Sequence, residues 1–150
     1  RFTLHFLNRN NMFLDSLDYK VTIGERAFDL IQQSEEANRL KAEEMAMEEM
    51  AGYLRPKYNV HKIFARRGEE RNMHLVMTLC DMALYHLVSW LPSKMGYEIR
   101  EIRYKRAIEW LEGVQKGKIV PDLELAVDED GDTGASEIRY GGEKRNNYMW

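Results

Sequence analysis

With one cysteine, the chain has no means of forming an internal disulfide, so its stability must come from packing alone. Cys80 sits among apolar neighbours in LCDMAL, which predicts a buried thiol in a reducing compartment. Proline is equally scarce. Pro56, Pro92 and Pro121 leave long stretches between them in which nothing forbids a helix. No run approaches the roughly 20 apolar residues that a membrane-spanning helix needs, and the opening RFTLHFLNRN is broken by Thr3, His5, Asn8 and Arg9. The chain is therefore expected to be soluble and intracellular, with no membrane partner. Neither sign of charge dominates: 22 basic against 25 acidic residues give a formal net charge of -3, which argues against a freestanding nucleic-acid binder. A Gly-rich phosphate cradle, a nucleophile elbow and an H-E-x-x-H zinc motif are all missing, so the usual sequence routes to an enzyme are empty.

What the chain does have is enough apolar material, 44% of its residues, for one real core. Thr22 is placed to cap a short helix through Glu25, Ala27, Phe28, Leu30 and Ile31. From Ser34 to about Leu54 nearly every residue is a strong helix former, with acids in the first turn and Pro56 just past the end. Leu40, Met47 and Leu54, with Ala37, Met50 and Ala51, mark its inner face, leaving Glu43, Glu44, Glu48 and Glu49 for solvent. Residues 57 to 71 are expected to connect, tucking Val60, Ile63 and Phe64 under the bundle and breaking at Gly68. Apolar residues lie on nearly every side between Leu75 and Trp90, as in a central helix contacted all round. A last helix runs from about Gly96 to Lys116, with Ile99, Ile102, Ala107, Trp110, Leu111 and Val114 facing inward and Gly117 as its C-terminal cap. The predicted fold is all-α: a small bundle of three to four helices at 13–120, between an N-terminal arm at 1–12 and a C-terminal arm at 121–150. Alternation at Phe2, Leu4 and Phe6, at Leu123, Leu125 and Val127, and at Ile138 to Tyr140 would let the arms form a short β-hairpin.

Each constellation that could carry chemistry has a blander reading that fits better. Asp128, Asp130 and Asp132 open like a calcium loop, but Thr133 and Arg139 stand where its Gly and Glu belong, so a solvated turn is expected. His5, His61, His74 and His86 lack metal-ligand spacing, and no second cysteine accompanies Cys80; His86 reads as a core or interface histidine. Asp81 and Tyr85 lie one turn apart, as a catalytic pair would, yet such pairs are commonly local hydrogen bonds. The clustered glutamates of the second helix lack the partner histidine of a carboxylate metal site. No catalytic residue, cofactor or metal is expected.

The two ends look instead like contact elements. Tyr140, Lys144, Arg145, Tyr148 and Trp150 combine the aromatic and basic side chains that anchor interfaces, unless the tail simply frays. Phe2, Leu4 and Phe6 could add a strand to a neighbour's sheet edge or pair within their own subunit.

Four segments, GYLRPKYNVHKIF, RNMHLVMTLCDMALYHLV, RYKRAIEWLEGVQKGKIVPDL and GGEKRNNYMW, resemble in order and spacing the tailed-phage head-tail connector family. These proteins are also called adaptor or head-completion proteins, and the likeness is to the branch related to a Mu-type phage protein. The resemblance covers roughly half the chain and lies in the succession of segments; residues 1–12 and the acidic loop 128–134 stand outside it. It implies a helical core that assembles into a homo-oligomeric ring, a dodecamer in such families, between the portal protein and the tail or other neck proteins. Packaged DNA would pass through the lumen without sequence-specific binding, and the protein would act in the virion neck after assembly in the host cytoplasm. Two other readings remain open. A helical DNA-binding regulator would use Arg66, Arg67, Arg71, Arg100, Arg103, Lys105 and Arg106 on phosphates, although Glu69, Glu70, Glu98 and Glu101 are interleaved with them. A small hydrolase would need a cluster of titratable groups that the sequence does not display.

Overall fold

The computed structural model describes residues 12–32, 36–90 and 96–126. Among them the chain is all-α, with six α-helices: α1 (Ser16–Ile23), α2 (Glu25–Gln32), α3 (Glu36–Leu54), α4 (Val60–Ala65), α5 (Met73–Ser89) and α6 (Tyr97–Gln115). The three residues between Pro56 and α4 and the stretch after α4 are short, so successive helices must fold back on one another.

The short helix expected through Glu25 to Ile31 is α2, and a further helix, α1, precedes it. Asp15, not Thr22, is the cap: its carboxylate accepts from the Asp18 backbone N–H while the Asp18 carboxylate accepts from that of Asp15. Thr22 lies inside α1 and donates its hydroxyl to the Asp18 carbonyl. Gly24 then separates α1 from α2 at φ 83° and ψ 153°, a backbone conformation essentially reserved for glycine. Residues 57 to 71 are more than a connector, since Asn59 caps the short helix α4 through the Lys62 N–H. Val60 and Ile63 are buried and Phe64 half-buried, as their pattern predicts, and Gly68 breaks the chain at φ 57°.

α5 is the axis of the core. Asn72 caps it, and eleven of its residues from Leu75 to Val88 are buried. It packs against α1, α3 and α6, which matches the all-round apolar pattern of its sequence. α3 contributes Ala46, Met50 and Leu54, four residues apart on one face, and α6 contributes Ala107, Leu111 and Val114. Beyond α6 the chain turns at Gly117 and returns to the core. Leu125 forms an antiparallel bridge with Tyr58, where the Asn59 N–H donates to the Glu124 carbonyl at 2.8 Å and the Ala126 N–H to the Lys57 carbonyl at 3.0 Å. Leu123 and Leu125 pack on the core there.

Two inward faces differ from the sequence pattern. Ile99 and Ile102 are 49% and 50% exposed, because the first turns of α6 overhang α5 and only the later turns reach the core. Glu43 is 2% exposed: continuing the 46–50–54 stripe back one turn brings it inward, whereas Ala37 is exposed. No helix among the described residues is long and apolar enough to cross a membrane.

Candidate interface groove

The outer surface between α5 and α6 is concave. A groove of about 630 Å³ runs from Trp110 to Ile99 along α6, with Met77, Thr78 and Asp81 of α5 on its far wall. Its apolar content comes from Ile99 and Ile102, one turn apart on α6, and from Met77 of α5. All three are 42% or more exposed, large apolar side chains that α5 and α6 leave to solvent.

The polar side of the groove is cationic. Asp81, 7% exposed, meets the Arg103 Nε at 2.8 Å and an Arg100 terminal nitrogen at 4.0 Å, so two guanidinium groups share one carboxylate. Burial pushes the Asp81 carboxyl up, against the pull of the two arginines. Arg106 adds a third cation on the same wall. At the other end His74 stacks on Trp110 with ring centroids 4.6 Å apart and holds the Thr78 hydroxyl, which donates to the His74 carbonyl.

Asp81 and Tyr85 therefore do not act as a pair: each turns to α6. Tyr85 stacks on Tyr104 at 4.2 Å and shares a hydrogen bond of 3.3 Å with the Tyr97 hydroxyl. Beside them Glu49 ties three helices together, accepting from the Tyr104 hydroxyl and meeting His86 Nε2 at 3.0 Å. The hydrogen bond from His86 holds the Glu49 carboxyl below its ordinary value, and burial raises the Tyr104 hydroxyl. His86 is thus the interhelical histidine its position suggests. Glu49, which the sequence pattern assigns to solvent, is a cross-link.

Two more buried polar pairs fasten α1. Tyr19, 3% exposed, donates its hydroxyl to Glu43 Oε1 at 2.7 Å, with the Arg39 Nε 3.7 Å away. Burial pushes the Glu43 carboxyl up to about 7 and raises the Tyr19 hydroxyl as well. Arg71 reaches back from the start of α5 to the Phe13 carbonyl at 2.6 Å and to both Asp18 carboxylate oxygens at 2.6 and 3.0 Å. Cys80 is completely buried, as its neighbours imply, and burial raises its thiol far above the ordinary range.

These pairings engage all but Arg106 of the basic residues named for a DNA-binding surface. Arg66 pairs with Glu124, Arg71 with Asp18, Arg100 and Arg103 with Asp81, and Lys105 with Glu101; Arg67 donates to the Phe64 and Arg66 carbonyls. Among the described residues no group of three or more His, Cys, Asp or Glu side chains is arranged to hold a metal ion. The contact residues expected from sequence, Phe2, Leu4, Phe6, Tyr140, Lys144, Arg145, Tyr148 and Trp150, lie outside the described residues, as does the acidic loop 128–134. Sequence reading missed the groove itself; the signal was present in the amphipathic mismatch of α6, whose apolar residues are too many for the one face the core can take. Comparison with models of protein families, with curated proteins and with solved structures returned no match.

Proposed function

We propose that this chain is a structural, non-enzymatic subunit of a tailed-phage head-to-tail connector. In this reading the helical core at 13–120 forms a ring between portal and tail, the arm at 1–12 and the part of the arm at 121–150 beyond the Leu125–Tyr58 bridge lock neighbouring subunits, and the ring extends the channel for packaged DNA. The slightly acidic chain suits a wall past which phosphates must slide without sticking.

The observation that carries the reading is that one small helical unit exposes two unlike apolar surfaces. One is the α5–α6 groove with Met77, Ile99 and Ile102; the other is the outer face of α1, where Leu17 and Val21 are 65% and 79% exposed. Unlike surfaces joined head to tail through a closing rotation generate a ring. The order and spacing of segments shared with the connector family supply the place of that ring. Cryo-electron microscopy of phage particles carrying this chain tests the proposal. Density for the chain as a ring between portal and tail is expected; its absence from the neck overturns the assignment.

A further inference from the structure

We infer that α1 is a proton-controlled flap: it stays seated on α3 and α5 while Glu43 carries a proton, and swings out about Gly24 when that proton is lost, uncovering Cys80. The inference does not rest on the connector reading.

The seat of α1 is narrow. Within the helix the buried residue is Tyr19, whereas Leu17 and Val21 are turned to solvent. Gly24 ends the helix at φ 83°, and no other atom crowds the position a side chain would take there, so the chain has room to pivot. Two latches at adjacent positions hold the seat. Asp18 is gripped by Arg71, which also holds the Phe13 carbonyl, and Tyr19 donates its hydroxyl to Glu43 Oε1 at 2.7 Å.

The second latch is built for a neutral carboxyl. Glu43 is almost completely buried, and its Oε2 has no hydrogen-bond partner among the described residues. The Arg39 Nε lies 3.7 Å from Oε1 and makes no hydrogen bond either. The charged and titratable groups facing Glu43 are Tyr19 and Asp18 from α1, Arg39 and Glu44 from α3 itself, and Cys80 from α5. The pull of Arg39 is opposed by the two acids and by burial, so a charge on Glu43 is poorly compensated while α1 is seated. Lifting α1 returns the carboxyl to water, where the charge is readily solvated. Burial pushes the seated carboxyl up to about 7 from its ordinary 4.5. The advantage of the seated state is therefore complete below about pH 4.5 and is lost as pH rises through about 7.

Cys80 is a built-in reporter of this motion. It is the one cysteine of the chain, completely buried, with its sulfur in hydrogen-bond reach of the Thr22 side chain of α1. Labelling of Cys80 by dithiodipyridine in the full chain measures the opening, and Glu43→Gln at the same pH cancels the reagent's own pH dependence. The wild-type rate divided by the Glu43→Gln rate is expected to rise on the order of 50-fold from pH 5 to pH 8. A ratio that stays level overturns the control by Glu43. Hydrogen exchange of the wild-type chain locates the motion and needs no variant. After correction for intrinsic rates, protection of the α1 amides is expected to fall over the same range while α5 and α6 keep theirs. An equal fall in α5 means that the whole fold opens, and no fall in α1 means that the helix stays seated; either result overturns the flap.

Discussion

Glu43 shows how one side chain can report on a whole contact. Its folded-state value of about 7 lies above its ordinary 4.5, so the protonated form is the one the fold favours. The stabilisation it brings is complete below about pH 4.5 and is lost as pH rises through about 7, a span that corresponds to about 3 kcal/mol. Denaturant midpoints measured from pH 5 to pH 8 are expected to fall in the wild-type chain and to stay nearly flat in Glu43→Gln, whose amide keeps a partner for Tyr19 without titrating. Equal slopes would show that Glu43 is not the group responsible. Arg71 is the second such residue. Removing its guanidinium strands the Asp18 carboxylate, 11% exposed, and the Phe13 carbonyl, so Arg71→Ala is expected to destabilise the fold by about 3 kcal/mol in the same denaturation assay. Neither role was legible beforehand. Four glutamates at 43, 44, 48 and 49 look alike in a helical sequence, and what draws Glu43 inward is a tyrosine 24 residues away and Glu49 a histidine 37 residues away. Composition sees charge; it does not see a distant partner.

At the scale of elements, legibility follows how local the determining force is. α5 could be read directly, because apolar residues on every side admit one environment only. The end of α3 before Pro56 and the end of α6 before Gly117 were equally plain, being fixed by backbone stereochemistry. α1 was missed because its cap is the reciprocal pair Asp15 and Asp18, which lacks the usual Ser/Thr and Glu pattern, and because Leu17 and Val21 face outward while Tyr19 faces in. The break after α1 was missed for a related reason: Gly24 acts through its φ of 83°, not through polarity. Gly24→Ala meets no neighbouring atom, so its whole effect is backbone strain. A loss of about 2 kcal/mol is expected, with hydrogen exchange faster in α1 and α2 than in α5. Uniform acceleration along the chain would instead mean that the α1–α2 corner folds and unfolds with the core as one unit.

For the whole molecule, the helical core and its surplus of apolar surface belong together. α5 takes apolar contacts from three helices, yet α1 and the early turns of α6 still present Leu17, Val21, Ile99 and Ile102 to solvent. On the proposed connector reading, these two apolar faces are where a chain of this size would meet its neighbours. Those faces were not legible from sequence, where Ile99 and Ile102 read as core, because the pattern reports which residues are apolar but not whether the partner is the same molecule or the next one. Native mass spectrometry of the full chain over a wide range of concentration addresses that difference most directly. A single closed oligomer that appears cooperatively, with little dimer or trimer on the way, is expected of head-to-tail subunits that close a ring. A discrete dimer, or a monomer that persists at the highest concentration, would contradict it.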